Sequence, residues 1–180
     1  PMTTNVIDRF AFAASANSTD VGDLSKIKAY CGAALSSTHG YTMGGWNYIP
    51  GEGQPHGGLV DIDKFSFASA TTNASNIGDL TVLRFTTTGN TSETHGYASG
   101  GYRASGGPAR FDNIDKFAFA SNTTGADVGD LSVGRRTPSG QSSETQGFSS
   151  GGNNSPDGEV NTIDNNIFSP YTLNSLASKI

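Results

Sequence analysis

A chain of 180 residues is long enough for one domain with its own core. Its formal charge of -5, with charged residues at only 15%, excludes a strongly basic nucleic-acid binder and offers no polybasic face to an anionic membrane. Apolar residues make up 34% and glycine fills 24 positions; that composition can mean disorder, but ten Phe and six Tyr recur at matched places, which argues for ordered strands.

No apolar run approaches the roughly 18 residues that a membrane helix needs. The opening PMTTNVIDRF has neither a charged n-region nor an apolar h-region, so no signal peptide is expected. Pro1 precedes Met2, which leaves a processed end or an excerpt of a longer chain open. Cys31 is the sole cysteine and has no partner for an internal disulfide.

Three sequence blocks return in fixed order along the chain. The first reads VIDRFAFA at 6–13, DIDKFSFA at 61–68, NIDKFAFA at 113–120 and, in degenerate form, TIDNNIFS at 162–169. The second is GDL at 22–24, 78–80 and 129–131. The third is HGYTMGG at 39–45, HGYASGG at 95–101 and QGFSSGG at 146–152. Gly44 to Gly100 spans 56 residues and Gly100 to Gly151 spans 51, with variable loops absorbing the difference. The reading is one all-β repeat domain over 1–180, with units near 6–60, 61–112 and 113–161 and a terminal strand and tail at 162–180.

Each block reads as strand. In DIDKFSFAS, Asp63, Phe65 and Phe67 share one face and Ile62 and Lys64 the other, as in a strand packed on both sides. GDLTVLRF carries Leu80, Val82 and Leu83 behind an expected Gly-Asp turn. The double glycines Gly44-Gly45, Gly100-Gly101 and Gly151-Gly152 allow a bend or a close backbone approach. Only TLNSLASKI at 172–180 has a weak helical reading.

GDL, then a basic residue (Lys28, Arg84, Arg135), a polar stretch, an aromatic followed by Gly-Gly and an apolar strand together resemble a kelch repeat. Kelch units run about 50 residues and form one propeller blade each. The usual outer-strand tryptophan is missing, and Trp46, the one tryptophan, follows a Gly-Gly instead. The consensus IDxFxFA with DVGDL and THGYxSGG is similar to repeats in virion and tail-associated proteins of environmental bacteriophages. Closed propellers have about four to eight blades, whereas this chain has three units and a fourth copy of the ID strand. Two chains sharing a ring, an excerpt of a larger propeller, and a spare strand pairing with the next subunit are all open.

Several recurrent residues carry candidate roles. Asp23, Asp79 and Asp130 of GDL read as turn aspartates, with calcium binding as the alternative; no other cofactor is expected. Asp8, Asp63, Asp115 and Asp164 read as partners of Lys28, Arg84 and Arg135 in ion pairs between units. His39 and His95 correspond to Gln146, an exchange that suits hydrogen bonding and not zinc. Copper, as in kelch-type oxidases, would need Tyr and His ligands for which the chain has no matched constellation, so no enzyme is expected.

These readings point to a structural subunit of an extracellular assembly, a phage tail or virion component or a surface filament. It would self-associate through shared β edges, with Ile7, Phe10, Phe12, Ile163 and Phe168 as interface candidates. The alternative is a host-glycan-binding module that uses loops 46–60, 102–112 and 153–161, with Trp46, Tyr48 and Tyr102 as stacking surfaces. Its partners would be itself and possibly carbohydrate, without nucleic acid or membrane insertion.

Overall fold

The computed structural model describes residues 4–13, 15–47, 58–68, 71, 73–104, 109–154 and 158–168. Every regular element among them is a β-strand. The stretch at 172–180 lies outside the described residues.

In chain order the strands are β1 (Thr4–Arg9), β2 (Thr19–Lys28), β3 (Gly32–Leu35), β4 (His39–Met43), β5 (Leu59–Ser66) and β6 (Ser75–Arg84). There follow β7 (Thr88–Thr91), β8 (His95–Ser99), β9 (Tyr102–Arg103), β10 (Ala109–Arg110), β11 (Asn113–Ala118) and β12 (Ala126–Asp130). The last three are β13 (Ser139–Ser142), β14 (Gln146–Ser150) and β15 (Ile163–Ile167). All pairings are antiparallel. β3-β4-β5-β6 and β8 with β7, β11 and β12 make two four-stranded sheets, and β13-β14-β15 makes a third of three strands. β1-β2 and β9-β10 are two-stranded ribbons. The sheets are out of phase with the sequence blocks: the ID strands β5 and β11 stand third in their sheets, between the HGY strand and the GDL strand, β15 stands third and last in its sheet, and β1 pairs with the GDL strand β2 alone.

The GDL segments do not form turns. Gly78, Asp79 and Leu80 lie inside the continuous strand β6, which takes up the local irregularity as register shifts opposite Leu59/Asp61 and Ile62/Asp63. The side chain that bonds the local backbone belongs to the residue two before the glycine. Asp20, Asn76 and Asp127 accept from the N–H of Gly22, Gly78 and Gly129 at 3.0, 3.1 and 3.2 Å.

Successive sheets are tied by the ID aspartates. Asp63 on β5 lies 2.9 Å from Lys28 Nζ on β2, with both side chains fully buried. Ser25, also on β2, donates to that carboxylate through its N–H at 3.2 Å and its hydroxyl at 2.6 Å. Asp115 on β11 repeats the pattern with Arg84 at 3.0 Å and with the N–H and hydroxyl of Thr81 at 2.8 and 2.7 Å, all three on or beside β6. Asp164 on β15 takes Arg135 at 2.7 Å and the Ser132 N–H at 3.1 Å. The arginines do more than the lysine: Arg84 also donates to the carbonyls of Asn113 and Ala98, and Arg135 to the Ser149 carbonyl and the Thr162 hydroxyl. Lys28 meets Asp63 outside hydrogen-bond geometry and finds no other acceptor among the described residues.

Aromatic packing crosses the same interfaces. Tyr41 of the first sheet stacks on Phe119 of the second at 4.8 Å, and Tyr97 of the second stacks on Phe168 of the third at 4.7 Å. Phe168 is therefore buried within the chain's own core, at 5% exposure, and does not serve as an outward interface residue. Ile62, Met43, Tyr41, Leu80 and Phe117 form the main core.

The first glycine of each pair, Gly44, Gly100 and Gly151, has the same φ of +63°, a left-handed conformation that disfavours any side chain. A Cβ at Gly44 would also lie 2.6 Å from the Arg84 carbonyl, whereas at Gly151 the nearest atom is the Val160 carbonyl at 3.8 Å. Gly44→Ala is thus expected to cost at least about 2 kcal/mol, and Gly151→Ala only about 1 kcal/mol from backbone strain. Thermal or denaturant unfolding of the two variants checks the difference in their effects.

Asp115→Ala leaves Arg84 buried without its counter-charge, and a loss of about 3–5 kcal/mol is expected. The double variant Arg84→Met/Asp115→Leu should recover part of this, the remainder reflecting the Ala98 and Asn113 carbonyls left without a donor. Urea titration of the three proteins measures both quantities; a loss below 1 kcal/mol for Asp115→Ala would show that the pair is not what ties the sheets.

Candidate functional site

The array has two chemically different ends, because antiparallel strands send their hairpins one way and their longer connections the other. At one end the first two strands of each sheet are joined by the short hairpins 36–38, 92–94 and 143–145. They are built alike. The Ser36, Ser92 and Ser143 hydroxyls accept from the N–H of His39, His95 and Gln146 at 3.0, 3.1 and 3.0 Å. His39 and His95 each pair through Nδ1 with a threonine hydroxyl, Thr38 or Thr94, at 2.8 Å. Burial first, and then Lys64 or Lys116 nearby, lowers the pKa of both imidazoles below the usual histidine value. They stand in hydrogen-bonded hairpins, in keeping with the glutamine in the third copy.

These hairpins and the first strands line an open cleft of about 1290 Å³ whose walls include Ala33, Gly89, Thr91, Glu93, Ser142 and Glu144. Hydroxyls facing it knit the sheets together: Thr91 Oγ1 accepts from Leu35 N–H at 3.1 Å and Ser142 Oγ from Thr91 N–H at 2.9 Å. The cleft is wide and lined by hydroxyls, small apolar side chains, Leu35 and the two acids Glu93 and Glu144, with no aromatic ring on which a ligand could stack.

At the other end, the connections after the Gly-Gly pairs meet the connections between sheets. Trp46 bridges Ala29 and Gly58, Tyr102 bridges Phe85, and Asn153 bridges Arg136 and Glu159. Trp46, Tyr102 and Asn153 therefore occupy one equivalent slot, so Trp46 does have repeat counterparts. The turns between sheets hold a non-glycine residue in the left-handed region each time, Tyr30, Thr86 and Thr137 at φ 58°, 56° and 54°. They are linked backbone to backbone, Thr86 N–H donating to the Tyr30 carbonyl at 2.8 Å and Thr137 N–H to the Thr86 carbonyl at 3.1 Å.

This scaffold lines up aromatic rings across sheet boundaries. Trp46 and Tyr30 have ring centres 6.4 Å apart, Tyr30 and Phe85 6.4 Å, and Phe85 and Tyr102 5.3 Å. Tyr30 is 63% exposed, and the others are half-buried. Cations close the row. The guanidinium carbons of Arg110 and Arg136 lie 5.5 and 5.6 Å from the centre of the Tyr102 ring, and that of Arg103 lies 5.6 Å from the Phe111 ring. Of the stacking residues expected from sequence, Trp46 and Tyr102 lie at the two ends of this row, and Tyr48 lies outside the described residues. Tyr30, Phe85 and the three arginines were not singled out; for Tyr30, Phe85, Arg103 and Arg136 the signal was their place within two residues after the buried cation or the Gly-Gly pair, and Arg110 carried no such mark.

The remaining candidates are dispersed. Asp79 and Asp130 are exposed on separate sheets, and no group of three His, Cys, Asp or Glu side chains that could hold a metal ion occurs among the described residues. Burial pushes the Cys31 thiol up to about 11, with Lys28 opposing the shift, so it is protonated at neutral pH. Ile7 is half-buried, while Phe10, Phe12 and Ile163 are 60%, 97% and 71% exposed.

No protein-family model matches the chain, and no curated protein matches it. Among solved structures, one described as "Structure of YjhT" is similar, with a TM-score of 0.63 and 12% sequence identity over 77% of this chain. The chain spans 42% of that protein, and at this identity the likeness is one of β-sheet fold.

Proposed function

We propose that this chain is a non-enzymatic recognition module, a kelch-like propeller segment carried on an extracellular assembly such as a phage tail, virion or surface filament, and that it binds glycans. The observation that carries this reading is the row Trp46–Tyr30–Phe85–Tyr102, supplied by successive sheets at one end of the array. Aromatic rings present flat apolar faces with polar edges, which suits the mixed surface of a sugar. The frame beneath is rigid and alike from sheet to sheet, while the slots above it vary, as expected of a surface under selection for a ligand. The propeller reading is supported by the regular four-stranded sheets, each tied to the next by the same buried pair.

Binding is expected on a glycan array and by calorimetry, with Trp46→Ala and Tyr102→Ala each weakening it on the order of tenfold or more. No binding of any glycan at millimolar concentration would overturn the reading.

A second reading, self-association through β edges, rests on a separate observation. Among the described residues, β1 and β15 each pair along one edge only. Ile163 on β15 is 71% exposed, where its equivalents Ile62 and Ile114 are at 0% and 5%, and Ile167 on the same strand is 66% exposed. In this reading a second copy covers these strands. Light scattering and electron microscopy of the purified chain would then show dimers or filaments, and deletion of 1–13 or of 162–180 would change them. A monomer under all conditions, or assemblies indifferent to both deletions, sinks it.

A further inference from the structure

The row of rings ends in an unusual concentration of positive charge. The chain has 11 lysines and arginines in all and a net charge of -5, yet Arg110 and Arg136 both rest on Tyr102, while Arg103 rests on Phe111 on the other face of the β9-β10 ribbon. None of the four ion pairs among the described residues involves them. The neighbouring acids Asp112 and Glu159 are exposed and do not form an ion pair with them. Arg136 donates from Nε to the Asn153 side-chain oxygen at 3.3 Å, a neutral partner. The Nε atoms of Arg103 and Arg110 are out of solvent and have no acceptor among the described residues. Arg110 and Arg136, two guanidinium groups held against one ring and lacking a carboxylate, are preorganised to receive one, because the planar fork matches a carboxylate bidentately and stacking already restricts its rotation.

We propose that the row takes a carboxylate-bearing glycan of the uronic-acid class, with sugar faces over Trp46 and Tyr102 and a carboxylate at Arg110 and Arg136. This rests on the glycan reading above and adds the charge of the ligand. An acidic peptide would satisfy the arginines but has no ring faces for the aromatic half of the row. A neutral glycan would cover the rings and leave the guanidinium cluster unpaired. A polymer of uronic acid residues supplies both features along one chain.

The test uses the full chain and three probes: polygalacturonate oligomers, neutral galactan oligomers of the same length, and polyglutamate. Polygalacturonate is expected to bind on the order of tenfold or more tighter than the galactan, more weakly as salt is raised. Arg110→Gln and Arg136→Gln should each lower its affinity about tenfold and weaken galactan binding by less, so that the preference for polygalacturonate falls, and Arg136→Lys should recover only part. Lys116→Gln removes a cation that rests on Tyr97 outside the row and should change nothing. Melting curves of each variant separate lost binding from lost folding. Equal binding of both glycans overturns the charge assignment and leaves the glycan reading standing. Polyglutamate binding as tightly as polygalacturonate overturns the choice of a glycan. Binding of none of the three overturns the uronic-acid assignment, and the glycan array then decides the glycan reading.

Discussion

Taking a carboxylate out of water costs several kcal/mol, and Asp63 and Asp115 are wholly out of it. What holds them there comes from the sheet before: a cation that supplies the counter-charge, and a serine or threonine whose N–H and hydroxyl occupy the remaining lone pairs. No sheet can satisfy its own aspartate. Each carboxylate finds its counter-charge only with the preceding sheet in place, and the basic side chain that reaches forward joins the two sheets at one matched position in each copy. Burial pulls the Arg84 guanidinium below the ordinary arginine value, and Asp115 and Asp127 oppose the shift. The rest of the array is arranged around these ties, including the tyrosine stacks and the threonine and serine hydroxyls that join the first strands.

A frame so strictly repeated leaves variation to the positions it does not constrain. The slot after Gly-Gly holds Trp46, Tyr102 and Asn153, and the slot after the buried cation leads to Ala29, Phe85 and Arg136. All six sit on the same backbone geometry, so exchanging them costs the fold little and changes the character of one end from aromatic to basic along the array. The hairpin end varies less and carries hydroxyls with the acids Glu93 and Glu144. Repeat architectures can hold a constant frame beneath surface positions that differ from unit to unit.

Much of this was readable from the repeat itself. The recurrence of the ID block located β1, β5, β11 and β15, and the recurrence of Lys28, Arg84 and Arg135 against the ID aspartates pointed to their pairing. Two further signals were present but unused. GDL is followed by Ser25, Thr81 and Ser132, whose N–H meets the aspartate in all three copies and whose hydroxyl does so in the first two. Asp61 and Asn113 occupy one slot opposite Asn76 and Asp127 in another, and the acid and amide have exchanged sides while keeping the bond, at 2.6 and 2.7 Å. What the sequence did not convey was phase. A strand motif carries no mark of whether it opens a sheet or stands third in it, so GDL read as a turn and Phe168 as an outward residue. The row of rings was hidden for a related reason: Tyr30 and Phe85 meet Trp46 and Tyr102 only after neighbouring sheets are docked.

The ties join each sheet to its immediate neighbour across sequence separations of only 29 to 38 residues. None spans the array. Under tension along the chain such a structure does not share the load; the outermost interface bears it until its carboxylate is pulled from its cradle, and only then does the next begin to carry force. Extension would proceed in discrete steps, each releasing about one repeat of chain, and relaxation would allow sheets to redock in turn. An array tied in this way yields under load one interface at a time.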